Sequence, residues 1–76
     1  MDKDIRIQVG QNIKSYRKNC NYTQEKLSEL SGVDYKYLQK LEGKNPPNIK
    51  VETIARLAKA LKLNPDKLLS SKESSP

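Results

Sequence analysis

Residues 23–44 read TQEKLSELSGVDYKYLQKLEGK, and the fold is decided in this stretch. Two short segments of helical period flank Gly32, with Thr23 placed to cap the first and Asp34 the second. A hydroxyl or carboxylate just ahead of a helix accepts a hydrogen bond from an orphan amide of its first turn. The pattern predicts a second helix over Gln24–Ser31, a tight turn, and a third helix over Tyr35–Glu42 with Leu38 and Leu41 facing inward. The second helix lacks a full capping box, because Lys26 stands where Glu or Gln would reach back. Glycine suits the sharp connection, since it enters positive φ without a Cβ penalty.

Working outward, Ile5, Val9, Ile13 and Tyr16 recur at spacings of four, four and three, which predicts a first helix over Ile5–Asn19. Gly10 weakens its interior by roughly 1 kcal/mol relative to alanine. Asn21 is suited to a left-handed position just past its end. Downstream, GKNPPN at 43–48 reads as a loop, where Pro46 and Pro47 deny helix continuation. A fourth helix over about Lys50–Leu61 carries the stripe Ile54, Leu57, Ala58 and Leu61. Asn48 is the better cap chemically, yet it would start that helix a turn before the stripe requires. Asn64 followed by Pro65 is a cap and first-turn signature for a short fifth helix containing Leu68 and Leu69. No strand pattern and no solenoid period competes. The expected organisation is a flexible N-terminus at 1–4, one all-α domain over 5–69, and a disordered tail at 70–76, where SSKESSP offers nothing to bury.

The 76 residues carry 15 lysines and arginines against 9 aspartates and glutamates, with no histidine and one cysteine, for a net charge of +6. A chain this short removes only roughly 60% of its unfolded surface from water, so the core is thin and a deep enzyme cleft is not expected. Without histidine the commonest general base and metal ligand are both missing, and Cys20 alone builds neither a disulfide nor a zinc site. No catalytic residue, metal or cofactor is therefore expected. Glu25 and Glu29, one helical turn apart, read as solubilising charge rather than as an acid–base pair. Cys20 reads as a small buried filler rather than a redox switch, since no resolving thiol exists. No stretch approaches 18 apolar residues and no basic segment leads into an apolar run, so the expectation is a soluble, cytoplasmic protein with no membrane partner. A basic excess in so small a domain points to a polyanion, with nucleic acid ahead of a membrane surface.

With Leu38 and Leu41 inward, a helical wheel sends Lys36 and Lys40 to the opposite side, Gln39 beside them, and Tyr35 and Tyr37 to the flanks. Such a face suits a major groove about 12 Å wide, where lysine donates to guanine O6 and N7 and glutamine pairs with adenine N6 and N7. Two lysines on a helix ordinarily make a solvated face. Their position directly after a tight turn weighs toward the groove.

The 23–44 stretch resembles the helix-turn-helix of Cro- and lambda-repressor-type regulators, the bacterial and phage family also called XRE-like. The likeness runs from about Val9 to Leu69 and takes in VGQNIKSYRK in the first helix, the TQ opening of the second, the SGV turn, the LE ending the third, and ETIARLAKAL in the fourth. It implies a compact five-helix, lambda-repressor-like domain. By position it implies that Gln24 meets a DNA phosphate, and that Tyr35, Lys36 and Lys40 touch base edges or adjacent phosphates. Lys44 and Asn45 would lie in a loop running along the DNA backbone. Tyr37 divides between DNA contact and the edge of the core. Arg17 and Glu42 match a largely buried structural ion pair. Ser28 stands where the family has alanine, which reads as harmless. The Glu42–Thr53 linker is about one residue longer than the common pattern, leaving the path of Lys44, Asn45 and Asn48 open.

The implied function is sequence-specific binding of double-stranded DNA by a transcriptional regulator, with helix 35–42 in the major groove. A homodimer on DNA would read a near-palindromic operator with half-sites about 34 to 36 Å apart. Leu63, Leu68 and Leu69 offer apolar surface for that dimer or for closing the core. Stand-alone relatives of this type include phage repressors, restriction-modification controllers and antitoxin components. The alternative is a protein-interaction module, such as an antitoxin or regulator-binding partner with weak DNA affinity. RNA binding ranks below both, because no sheet-borne aromatic platform is present.

Overall fold

Side-chain caps set where three helices of the computed structural model begin, within the residues it describes, 4–70. Asp4 accepts from the Arg6 amide at 3.0 Å, Thr23 from Lys26 at 3.0 Å and Asp34 from Tyr37 at 3.1 Å. They open α1 (Ile5–Asn19), α2 (Gln24–Ser31) and α3 (Tyr35–Leu41). Two more helices follow, α4 (Val51–Ala60) and α5 (Asp66–Leu69), with no strand among the described residues. Residues 1–3 and 71–76, where most of the flexible terminus and the tail were expected, lie outside that description. Asp4 and Ser70, assigned by sequence to those ends, are both engaged: Asp4 caps α1, and the Ser70 carbonyl accepts from Asn12. Asp4 also pairs with the Arg6 guanidinium at 2.7 Å, and that hydrogen bond holds the arginine's pKa above its ordinary value.

Backbone closures follow local chemistry. Asn21 (φ 61°) and Gly32 (φ 75°) are left-handed, as their residue types predict. Lys62 (φ 63°) is a third, which no residue preference signalled. Asn21 and Lys62 play the same part, because the next amide in each case reaches back five residues, Tyr22 to Arg17 at 3.1 Å and Leu63 to Ala58 at 2.8 Å. Four helix limits shift from expectation, among them the end of α4, where Leu61 is the C-cap. Glu42 is the C-cap of α3, with its amide on the Leu38 carbonyl. Val51 opens α4 behind Lys50, which provides no side-chain cap. α5 begins at Asp66, where the backbone carbonyl of Asn64, not its side chain, accepts from Lys67.

The core is Val9, Ile13, Leu27, Val33, Leu38, Leu41, Ile54, Leu57, Ala58, Leu61 and Leu68. All four members of the α4 stripe are buried. The α1 stripe reaches the core only from Val9, since Ile5 is 59% exposed. Leu68 is fully buried, so it closes the core and is not surface for a second molecule, whereas Leu69 stays 44% exposed and Leu63 is half-buried. Cys20 is likewise half-buried against the core. Asn12 holds α5 and the residue after it, its side-chain amide donating to the carbonyls of Leu68 and Ser70, both at 2.8 Å. Among the described residues no helix is long and apolar enough to cross a membrane.

Gly10 explains how α1 and α3 come so close. A Cβ at this position would fall inside the van der Waals shell of the Leu41 carbonyl oxygen, which is backbone and cannot rotate away. Helix propensity alone makes Gly10→Ala stabilising by roughly 1 kcal/mol. Overpacking at a rigid contact costs about 1–3 kcal/mol and should outweigh it. Urea unfolding of Gly10→Ala should show a net loss, and a gain in stability would mean that the two helices are not in contact.

Candidate nucleic-acid interface

The turn between α2 and α3 is fastened by two serines. Ser31 Oγ donates to the Leu27 carbonyl at 2.7 Å and accepts from the Val33 amide at 3.1 Å. Ser28 Oγ donates to the Val33 carbonyl at 2.6 Å. Both backbone polar groups of buried Val33 are thereby satisfied, as a water-excluded turn requires. Ser28 is thus more than a harmless stand-in for alanine, since its hydroxyl serves a carbonyl that a methyl group could not.

Leu38 and Leu41, both buried, hold α3 against the body, and the remaining face is open. Tyr35, Lys36, Gln39 and Lys40 are exposed, and none of their side chains makes a hydrogen bond or ion pair among the described residues. Lys44 and Asn45 continue the exposed surface past the helix, while Pro46 turns into the body. Of the nearby acids, Asp34 accepts the Tyr37 amide as the cap and Glu42 is paired with Arg17, so the exposed face of α3 with its two lysines is cationic. Tyr37 stands apart from the other flank residue. Its ring is half-buried against the core and its hydroxyl donates to the Asn48 carbonyl at 2.8 Å. Nothing in the helical period pointed to that bond, because Asn48 is 11 residues away in an irregular segment.

Gln24 at the start of α2 is half-buried, and its Nε2 donates to Glu42 Oε1 at 3.0 Å. The backbone amides of Gln24 and Glu25 find no acceptor among the described residues, as helix geometry dictates for a first turn. These orphan donors and the positive end of α2 suit an anion. Glu42 joins this point to the rest of the molecule. Its carboxylate takes Arg17 Nε and Nη2 in a bidentate pair, each at 2.9 Å, and Arg17 Nη1 donates to the Tyr22 carbonyl at 2.8 Å. The two side chains are only 10% and 3% exposed. No buried side-chain polar atom among the described residues lacks a partner.

An open groove of about 560 Å³ lies between α2 and α4, lined by Tyr22, Leu30 and Lys59 among others, and no residue of α3 reaches it. Among the described residues no group of three His, Cys, Asp or Glu is placed to hold a metal ion. The chemistry on offer is donation of hydrogen bonds and positive charge to an anionic surface.

Because the Arg17–Glu42 pair is nearly dry, removing one partner leaves the other charge buried and uncompensated. Glu42→Ala should cost roughly 3–5 kcal/mol in denaturant unfolding. A loss under about 1 kcal/mol is what a solvent-screened surface pair would give.

Comparison with known proteins places this geometry. The helix-turn-helix domain family matches over residues 10–74. The chain is 39% identical over 67 residues to control protein C.SmaI of Serratia marcescens, covering 88% of this chain and 79% of that protein. Its structure superposes on the restriction-modification controller protein C.AhdI from Aeromonas hydrophila with a TM-score of 0.77 and 32% identity, over 83% of this chain and 94% of that one. It superposes on SinR, the master regulator for biofilm formation solved in complex with DNA, with a TM-score of 0.78 and 31% identity, over 82% and 98% of the two chains. An all-helical chain with these turns, this buried ion pair and these relatives belongs to the helix-turn-helix domain family, among its Cro- and lambda-repressor-type regulators.

Proposed function

We propose that the protein is a transcriptional regulator that binds double-stranded DNA sequence-specifically, with α3 in the major groove and α2 across the backbone. The observation that carries this reading is the face of α3: Lys36, Gln39 and Lys40 stand unpaired in solvent on a helix whose other side is held by Leu38 and Leu41. Lys36, Lys40 and Gln39 would supply donors to base edges, and Tyr35, 37% exposed, would lie along the sugar-phosphate wall. The first-turn amides of α2, beginning at Gln24, would take a phosphate, and Lys44 and Asn45 would follow the backbone. Similarity to C.SmaI, C.AhdI and DNA-bound SinR supports the same class of activity. An interaction module would call for an acidic or apolar outward face on α3, and this one is cationic.

One α3 helix reads few base pairs, so two copies on a near-palindromic operator complete the proposal. With Leu68 buried, Leu69 and the half-buried Leu63 are the apolar groups left for that contact at the α5 end. Such a regulator works where the chromosome is, which in a bacterium is the cytoplasm.

Selection from a random-sequence duplex pool, followed by titration at several salt concentrations, tests the reading. A near-palindrome should be enriched, with log K falling by about 0.9 per phosphate neutralised as log salt rises. Sequence-blind, salt-insensitive binding would contradict it. On the selected site, Lys36→Ala should cost about 1–3 kcal/mol and relax preference at one position. Lys44→Ala should weaken all sequences evenly and lower the salt slope by about 1.

A further inference from the structure

Residues 44–49 carry the cationic and amide groups that follow α3, and very little holds them. Pro46 is buried and Ile49 packs partly on the core. Pro46 and Pro47 have no amide hydrogen, so the segment cannot brace itself through them. The bond from Tyr37 to the Asn48 carbonyl is the one hydrogen bond that reaches residues 44–49 among the described residues. Besides the packing of Pro46 and Ile49, the stretch has two polar anchors, the buried carboxylate of Glu42 before it and a phenol after it. Lys44 and Asn45 lie between the two anchors, and the second anchor rises from the first turn of α3 itself. Whatever α3 docks on, the phenol ties the linker to the same rigid element.

We propose that Tyr37 is a positioning residue for DNA binding: its hydroxyl, by holding the Asn48 carbonyl, keeps Lys44 and Asn45 in register with the lysines of α3. This rests on the DNA-binding reading above. Its contribution is to backbone contact and not to base readout, because the hydroxyl is committed to the linker. Tyr37→Phe removes the tether while leaving the ring in the core, and the exposed Asn48 carbonyl regains water. The fold should therefore survive the substitution.

The test compares wild type, Tyr37→Phe, Lys44→Ala and the double variant on the selected operator and on unrelated duplex, with amide exchange measured on the free proteins. Tyr37→Phe should keep its thermal midpoint within about 2 °C. It should speed amide exchange in residues 44–50, and weaken both duplexes equally by about 3- to 10-fold. Its salt slope should shrink, and in the double variant it should add nothing to Lys44→Ala. A changed base preference, a fully additive double variant, or unaltered linker exchange would each overturn the tether. Wild type that binds no duplex at all would overturn the DNA-binding reading instead, and the same titrations tell the two failures apart.

Discussion

A carboxylate removed from water must be compensated by donors that are themselves fixed, and Glu42, at the end of α3, takes its donors from α1 and α2. Arg17 comes from the last turn of α1, and through Nη1 it also holds the Tyr22 carbonyl in the turn that follows. Gln24 comes from the first residue of α2. Glu42 itself ends α3. One buried anion thereby fixes the positive end of α2 relative to the far end of α3. In the proposed docking these are the two surfaces that would meet a backbone and a groove together. In so thin a core, apolar packing alone is a weak constraint on rotation, because non-directional contacts tolerate small slides. A bidentate pair does not, since its geometry is directional.

The same economy governs the short α3. Seven residues are too few for a stable isolated helix, so its position depends on what surrounds it. Asp34 caps its start, Ser28 and Ser31 hold the turn before it, and Gly10 lets its last carbonyl approach α1 without a methyl group between. Leu38 and Leu41 use up the inward face. What is left faces solvent by exclusion. The exposed cationic face thus follows from the way the opposite face is held.

Much of this was legible in the residues. Thr23, Asp34, Gly32 and Asn21 each act through local chemistry, hydroxyl or carboxylate caps and left-handed backbone, and such chemistry is readable without the fold. The α4 stripe was equally clear, because period-3.6 burial is a property of a single helix. Apart from the left-handed Lys62, the features that escaped depend on a second element. Ile5 continued the α1 period but meets no neighbour that buries it. Gly10 read as a weak point in a helix and is a contact point between two. Ser28 departed from alanine for the sake of a carbonyl five residues on, and Asn48 gives its carbonyl to Tyr37 rather than its side chain to α4. The pairing of Arg17 with Glu42 was reached through family resemblance, since a separation of 25 residues carries no local signal.

The most direct measurement is a structure of the protein bound to its selected duplex. The account predicts the Nζ atoms of Lys36 and Lys40 at hydrogen-bond distance from base edges or their flanking phosphates, a phosphate on the first-turn amides of α2, and the Arg17–Glu42–Gln24 contacts unchanged from the free protein. A complex in which α3 faces solvent and another surface meets the DNA would contradict it.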